Sequence, residues 1–254
     1  MFGKVENEEE MQMEELKKLV ENLITLDGGD EKKNNIIVNE LQEIGKKLIT
    51  EYELKIGDVT VDPLWVEAYY YNADKGFTDP FVHRREMQLN KSAEDFGKLY
   101  FHHNTDDQRS GVDIRLALSD NYYLSFLLKY TLLNGEFTTQ AELSKKIRDS
   151  YEKVGCMLIR KEENNKNCEI IGCTGRIGLS AKDADETKAE EKAKYKPYKL
   201  AIAKDFDKIY NKPRRLPQIE KLTKSYLATY EGDKDKGEKC HEILGYCLKE
   251  YEGK

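Results

Sequence analysis

The chain has 254 residues, 35% of them charged and 39% hydrophobic, with a formal net charge of -6; an average globular protein carries about 25% charged residues. The hydrophobic content supports a folded core and excludes global disorder. Apolar stretches such as Tyr122–Leu128 are broken by charges before the roughly 18 residues of a membrane span, and five cysteines without a CxxC pair point to reduced thiols in a cytoplasmic protein, not a disulfide scaffold.

The acidic start, Met1 to Glu10, lacks the apolar core of a signal peptide. Leu16, Leu19, Val20 and Leu23 then recur at helical spacing, predicting an amphipathic helix over Glu8 to Leu26 that stops at Gly28-Gly29. A second helix is expected from Lys32 to Thr50, with Ile37, Leu41, Ile44 and Leu48 on one stripe. After a turn at Gly57-Asp58, Val59 to Tyr71 is β-branched and aromatic and reads as a strand, with Pro63 at an edge or bend. Residues 72–98 are polar and irregular, with Asp79-Pro80 as a turn signal. Short strands are expected at Lys98 to His102, Val112 to Leu118 and Tyr122 to Leu133.

Thr138 or Thr139 can cap a helix that turns Leu143, Ile147 and Tyr151 to the core. Cys156 to Arg160 and Cys168 to Thr174 read as strands that could pair across the loop from Glu162 to Asn167, followed by an exposed charged piece around Asp183 to Lys194. A strand at Tyr198 to Ala203 and two closing helices, near Leu216 to Ala228 and Lys236 to Tyr251, complete the chain. No internal repeat or domain linker stands out, so the simplest reading is one α+β domain with a curved mixed or antiparallel sheet flanked by helices. Its parts are an acidic N-terminal helix within 1–31, a central region and C-terminal helices over 216–252.

Charge is unevenly placed. Residues 1–31 hold ten acids and three lysines, whereas residues 192–224 hold eleven Lys or Arg and three acids. A globally acidic chain with one basic face can still bind phosphates, because counterion release depends on local contacts; a solvated helix face is the plainer reading of either run.

The segment Trp65-Val66-Glu67-Ala68-Tyr69-Tyr70-Tyr71 is the densest unusual stretch. Strand alternation puts Glu67, Tyr69 and Tyr71 on one face, so a carboxylate shares a wall with two aromatic rings. Such a carboxylate is expensive to bury without a partner; the alternatives are a satisfied ion pair or a pocket with one acid and stacking rings. Further clusters lie at Asp79 to Arg85, with His83, Arg84 and Arg85, and at Gly97 to His103, with Lys98, Tyr100, His102 and His103, followed by Ser110 to Ile114 with Asp113. Three of the four histidines thus fall close together beside aspartates, but no HxH, HExxH or repeated spacing marks a metal site. Phosphate-loop, dinucleotide and nucleophile-elbow motifs are absent. Cys156, Cys168 and Cys173 lie in apolar contexts where buried thiols are usual.

The order of these pieces resembles the alkyladenine DNA glycosylase family over roughly residues 38–205. The resemblance runs through Leu41-Gln42-Glu43-Ile44-Gly45-Lys46-Lys47-Leu48-Ile49, Glu67-Ala68-Tyr69, Leu99-Tyr100-Phe101-His102, Gly111 to Ile114, Leu127-Leu128-Lys129, Arg176-Ile177-Gly178-Leu179 and Tyr198-Lys199-Leu200. It implies that Glu67 activates water, that Tyr69 stacks on an extruded base, and that His83 lies on the base's other side, with no cofactor. His102 stands where the family has a stacking Tyr, Asp113 where it has an Asn that helps reject normal guanine, and Lys129 where it has an Arg near the catalytic Glu.

On that resemblance the expected activity is a monofunctional DNA glycosylase. It flips a modified base, hydrolyses its bond to the sugar and leaves an abasic site, in repair or antiviral defence. Tyr69, His83, Tyr100 and His102 would form the base pocket, recovering part of the flipping cost by stacking. Glu67 would stabilise the oxocarbenium-like sugar and orient water, and Lys129 would keep it ionised. Asp113 would accept from an exocyclic amine, which suggests an amino-bearing base such as a bulky glucosylated hydroxymethylcytosine of phage DNA. Arg84, Arg85, Lys98, Arg109, Arg176, Lys199, Arg214 and Arg215 are candidate backbone contacts of a monomer. The alternatives are a non-catalytic nucleic-acid-binding module, or a metal-dependent hydrolase using His83, His102, His103 and Asp113.

Overall fold

The computed structural model describes residues 5–79, 81–82, 95–102, 111–162 and 237, with side chains from Met13 onward. Two helices open the chain, α1 (Val5–Thr25) and α2 (Glu31–Thr50), within a few residues of the ranges the apolar periodicity predicts. Leu16, Val20 and Leu23 of α1 are fully buried, as are Ile37, Ile44, Leu48 and Ile49 of α2. The Asp30 carboxylate accepts from Lys33 N at 2.8 Å and so starts α2 by filling one of its unpaired N–H groups.

Among the described residues, six strands then form one path across an eight-stranded sheet: β4 (Leu99–Phe101), β5 (Val112–Arg115), β6 (Tyr123–Leu133), β2 (Val59–Asn72), β1 (Tyr52–Ile56) and β8 (Met157–Arg160). The two further strands are β3 (Phe77–Thr78) on β2 and β7 (Glu136–Thr139) on β6, and every pairing is antiparallel. The third helix, α3 (Gln140–Val154), follows β7 directly. The fold is therefore α+β, with an antiparallel sheet and helices packed on it. No described helix is long and apolar enough to cross a membrane.

Helix α2 packs against β2, α1 against α2, and α3 against β6. Val66, Ala68 and Tyr70 of β2 pair with Leu128, Phe126 and Leu124 of β6, and these residues join the helix stripes in one hydrophobic core. Burying each such large side chain contributes about 1.5–3 kcal/mol. The opposite face of the same strands carries Glu67, Tyr69 and Tyr71 beside Leu127, Ser125 and Tyr123. One face of the sheet is apolar and the other, although buried, is polar.

Several local expectations change in the structure. The strand expected to run to Leu118 ends at Arg115; beyond it, Leu118 N donates to the Tyr122 hydroxyl at 2.6 Å and closes a polar turn. β7 was not expected. Asn134 and Gly135 adopt φ 49° and 80°, the left-handed pair that joins two strands in a tight hairpin, and Glu136–Thr139 folds back on β6. Thr139 is indeed the cap of α3, in a reciprocal arrangement with Glu142. The expected strand at Cys156 forms from Met157 and pairs with β1; the Cys168 to Thr174 strand and the elements expected after it lie outside the described residues.

Candidate functional site

The long β2–β6 ladder fixes the site. Pro63 pairs with Thr131, Trp65 with Tyr130 and Val66 with Leu128, so Leu64 on one strand and Lys129 on the other have no register partner. The two extra residues compensate each other, and pairing resumes in register towards Tyr71. Pro63 sits at the first bulge, where it need not donate to a regular ladder. Bulges re-aim side chains. Here the bulge places the Lys129 ammonium 3.4 Å from Glu67 Oε2.

The Glu67 side chain is fully buried, whereas that of Lys129 is 22% exposed. The Tyr69 hydroxyl donates to the same Glu67 oxygen at 3.2 Å. A buried carboxylate is tolerable only with such partners. The predicted sharing of a face by Glu67, Tyr69 and Tyr71 is what the register gives.

Across the sheet, register pairs run Glu67–Leu127, Leu127–Asp113 and Asp113–Tyr100. These four residues form one transverse row on the polar face, so Glu67 and Asp113 stand two strands apart, about 10 Å at strand spacing. Tyr100 continues to His102, whose ring centroid is 5.5 Å away. Asp113 is almost fully buried and both of its oxygens accept hydrogen bonds. Oδ1 lies 2.8 Å from His102 Nε2, and Oδ2 lies 2.9 Å from Ser125 Oγ and 3.1 Å from the Tyr123 hydroxyl.

Tyr123 and Ser125 lie 2.6 Å apart, and each hydroxyl has only one proton. Both contacts are satisfied if Tyr123 donates to Ser125 and Ser125 donates to Asp113. Burial, and then the neighbouring Asp113 charge, push the Tyr123 phenol well above its ordinary range, so it stays protonated as a donor.

Gly111 completes this corner. His102 N donates to Gly111 O at 2.9 Å, and a Cβ on Gly111 would meet His102 Nδ1 at 2.6 Å. The imidazole thus lies directly against the Gly111 backbone. Sequence reasoning singled out Asp113 and His102 but not Ser125, Tyr123 or Gly111 as their supports. Alternation in β6 was the available signal, because it puts Tyr123, Ser125 and Leu127 on one face.

Of the remaining candidates, Tyr69 and Tyr100 lie on the polar face with Glu67, and Lys98 is exposed and pairs with Asp95 at 3.6 Å. His83, Arg84, Arg85, His103, Arg109, Arg176, Lys199, Arg214 and Arg215 lie outside the described residues. Among the described residues no group of three or more His, Cys, Asp or Glu is arranged to hold a metal ion. Burial pushes the Cys156 thiol up to about 11, and it donates to Gly97 O at 3.4 Å, the environment of an inert packing thiol.

The polar face therefore combines a buried carboxylate in contact with an ammonium, the rings of Tyr69, Tyr100 and His102, and a second carboxylate committed to that imidazole. Such a face can polarise water beside a flat aromatic ligand. Comparison with known proteins identifies no relative: no family model, curated protein or solved structure matches the chain.

Proposed function

We propose that the protein is a metal-free DNA glycosylase that extrudes a modified base and hydrolyses its N-glycosidic bond. The observation that carries this reading is the Glu67–Lys129 pair. A fully buried carboxylate meets a partly exposed ammonium, set there by a paired bulge, on a sheet face that also carries Tyr69, Tyr100 and His102. In the reaction, departure of the base builds positive charge on the sugar. Glu67 as carboxylate stabilises that charge and accepts a proton from the attacking water, which adds to C1′ while the bond to the base breaks. The Lys129 ammonium, 3.4 Å from Oε2, orients the Glu67 carboxylate. The aromatic rings offset the cost of unstacking the base, a few kcal/mol, by stacking at roughly 1–3 kcal/mol per base.

The test is base release from DNA carrying alkylated, deaminated, hydroxymethylated or glucosylated bases, scored as alkali-labile sites with EDTA present throughout. Release that survives EDTA and is lost in Glu67→Gln supports the reading. Activity removed by EDTA would point to the metal-dependent hydrolase instead.

A second reading, a nucleic-acid-binding module without catalysis, is favoured by one observation: both oxygens of Asp113 are committed within the protein, as in a structural network. Tight DNA binding without abasic sites on any substrate would select it.

A further inference from the structure

Asp113 combines three features: near-complete burial, a hydrogen-bond donor on each carboxylate oxygen, and an imidazole as its outermost partner. Ser125, itself receiving a hydrogen bond from Tyr123, donates to Oδ2 at 2.9 Å, leaving Oδ1 facing His102 Nε2 at 2.8 Å. Ser125 and Tyr123 are themselves buried, whereas His102 is the most exposed member of the set at 9%. The chain of hydrogen bonds therefore runs from the interior outward and ends on a ring. That ring lies against Gly111 on one side, where no side chain fits, and within 5.5 Å of Tyr100.

We infer that Asp113 is a positioning residue that sets substrate specificity through His102, by fixing the imidazole as a wall of the base pocket, without touching the base itself. This rests on the glycosylase reading of the pocket, and it changes what the pocket selects. A carboxylate reading a base directly would discriminate by exocyclic amines, which cytosine and adenine carry and uracil and thymine lack.

Asp113 is 1% exposed and lies behind His102, so a base does not reach its oxygens and that discrimination is not available there. The group in its place is a ring whose Nε2 proton is committed to Asp113. What Asp113 holds is a ring packed against Gly111 and 5.5 Å from Tyr100, and aromatic stacking is sequence-tolerant because every base has a π-face. Selection then follows the shape and stacking strength of a flat base between His102 and the neighbouring tyrosines. The substrate class is a modified base whose weakened pairing makes extrusion easy, amino-bearing or not. An amine is not required.

The geometry also says what Asn at 113 would do. The amide must turn its NH2 towards either His102 or the Ser125–Tyr123 pair. Towards His102 it forces Nε2 to accept, and towards the hydroxyls it breaks the relay that holds the group. In both cases the imidazole loses its single orientation.

The experiment combines a spectrum and a double-mutant cycle. In full-length protein labelled with nitrogen-15 at histidine, the His102 signals are assigned by their loss in His102→Phe. Wild type is expected to show His102 protonated at Nε2 in slow exchange, and D113N and Ser125→Ala to disturb that state. An unaltered His102 spectrum in both variants overturns the positioning role, and it does so whether or not the protein releases bases.

In the cycle, base release is compared for wild type, D113N, H102F and D113N/H102F. D113N is expected to lower release at least tenfold, alike for amino-bearing and keto bases. In the H102F background, where a ring face persists without Nε2, D113N should change release less than twofold. A loss confined to amino-bearing bases, or an equal loss in both backgrounds, would show direct reading by Asp113 and overturn the inference. Absence of release from every substrate is a failure of the glycosylase reading, and the His102 spectrum then decides the positioning role alone.

Discussion

Lys129 Nζ lies 3.4 Å from Glu67 Oε2, and the Tyr69 hydroxyl donates to that same oxygen at 3.2 Å. Lys129 belongs to β6 and Glu67 to β2, and the two residues are not register partners; Glu67 pairs with Leu127. Lys129 is the extra residue of a bulge, two positions beyond Leu127 and so diagonal to Glu67. In an unbroken ladder, alternation alone would not decide how far its ammonium reaches towards the next strand.

The pair predicts a non-additive stability series. Lys129→Met leaves a buried carboxylate without its ammonium and should cost about 2 kcal/mol. Breaking a wholly buried pair costs roughly 3–5 kcal/mol, and the smaller value reflects the 22% exposure of Lys129. Glu67→Gln combined with Lys129→Met should be less destabilised than Lys129→Met alone. Urea unfolding of the four proteins measures this. In catalysis, Glu67→Gln should lower base release by about 10²–10⁴-fold, the range for loss of a positioned base.

Gly111→Ala should damage the His102 corner specifically. A Cβ there would stand 2.6 Å from Nδ1, against a ring anchored by Asp113, so the imidazole must shift. Overpacking of this kind costs about 1–3 kcal/mol. The expected outcome is a lowered unfolding midpoint together with the altered His102 nitrogen signals described for D113N. A normal His102 spectrum in Gly111→Ala would contradict the steric argument.

Thr139→Ala provides a control remote from the site. The Thr139 hydroxyl accepts from Glu142 N while the Glu142 carboxylate accepts from Thr139 N at 2.9 Å. Removing the hydroxyl should cost about 1 kcal/mol, read as a shift in urea midpoint, with base release unchanged at temperatures where the protein stays folded.

Cys156 should resist alkylation in the folded protein. Burial disfavours the thiolate and moves the pKa up to about 11, so lowering the pH suppresses the reactive form and raising it towards 11 restores it. At pH 8, iodoacetamide should modify Cys156 about 100-fold more slowly in the native protein than in urea, because its thiolate fraction is smaller by about that factor. Peptide mapping isolates this thiol from the other cysteines. Rapid native modification would place Cys156 in a polar environment.

The helices were legible because their signals are local. Leu16, Val20 and Leu23, and Ile37, Leu41, Ile44 and Leu48, mark one stripe each whatever they pack against. Thr139 and Glu142 likewise form a cap within four residues of chain. The hairpin at Asn134-Gly135 was missed, because the four residues of β7 are too short to show alternation convincingly. The β8–β1 pairing had no local signal, since nothing in Met157–Arg160 specifies which edge it joins.

For the site, composition and alternation determined that Glu67, Tyr69 and Tyr71 share a face, because a strand's side-chain period is two and needs no partner to be read. The sequence also singled out His102 and Asp113 in neighbouring clusters, and Lys129 through the family resemblance. Which of these meet was decided only by the tertiary structure. Register put Tyr100, Asp113, Leu127 and Glu67 in one row, a bulge brought Lys129 to Glu67, and Ser125 and Tyr123 committed Asp113 to His102. The physical reason is that strand pairing joins residues far apart in the chain. A shift of one residue would send every side chain to the other face, and it is burial of the apolar face against the helices that selects the register.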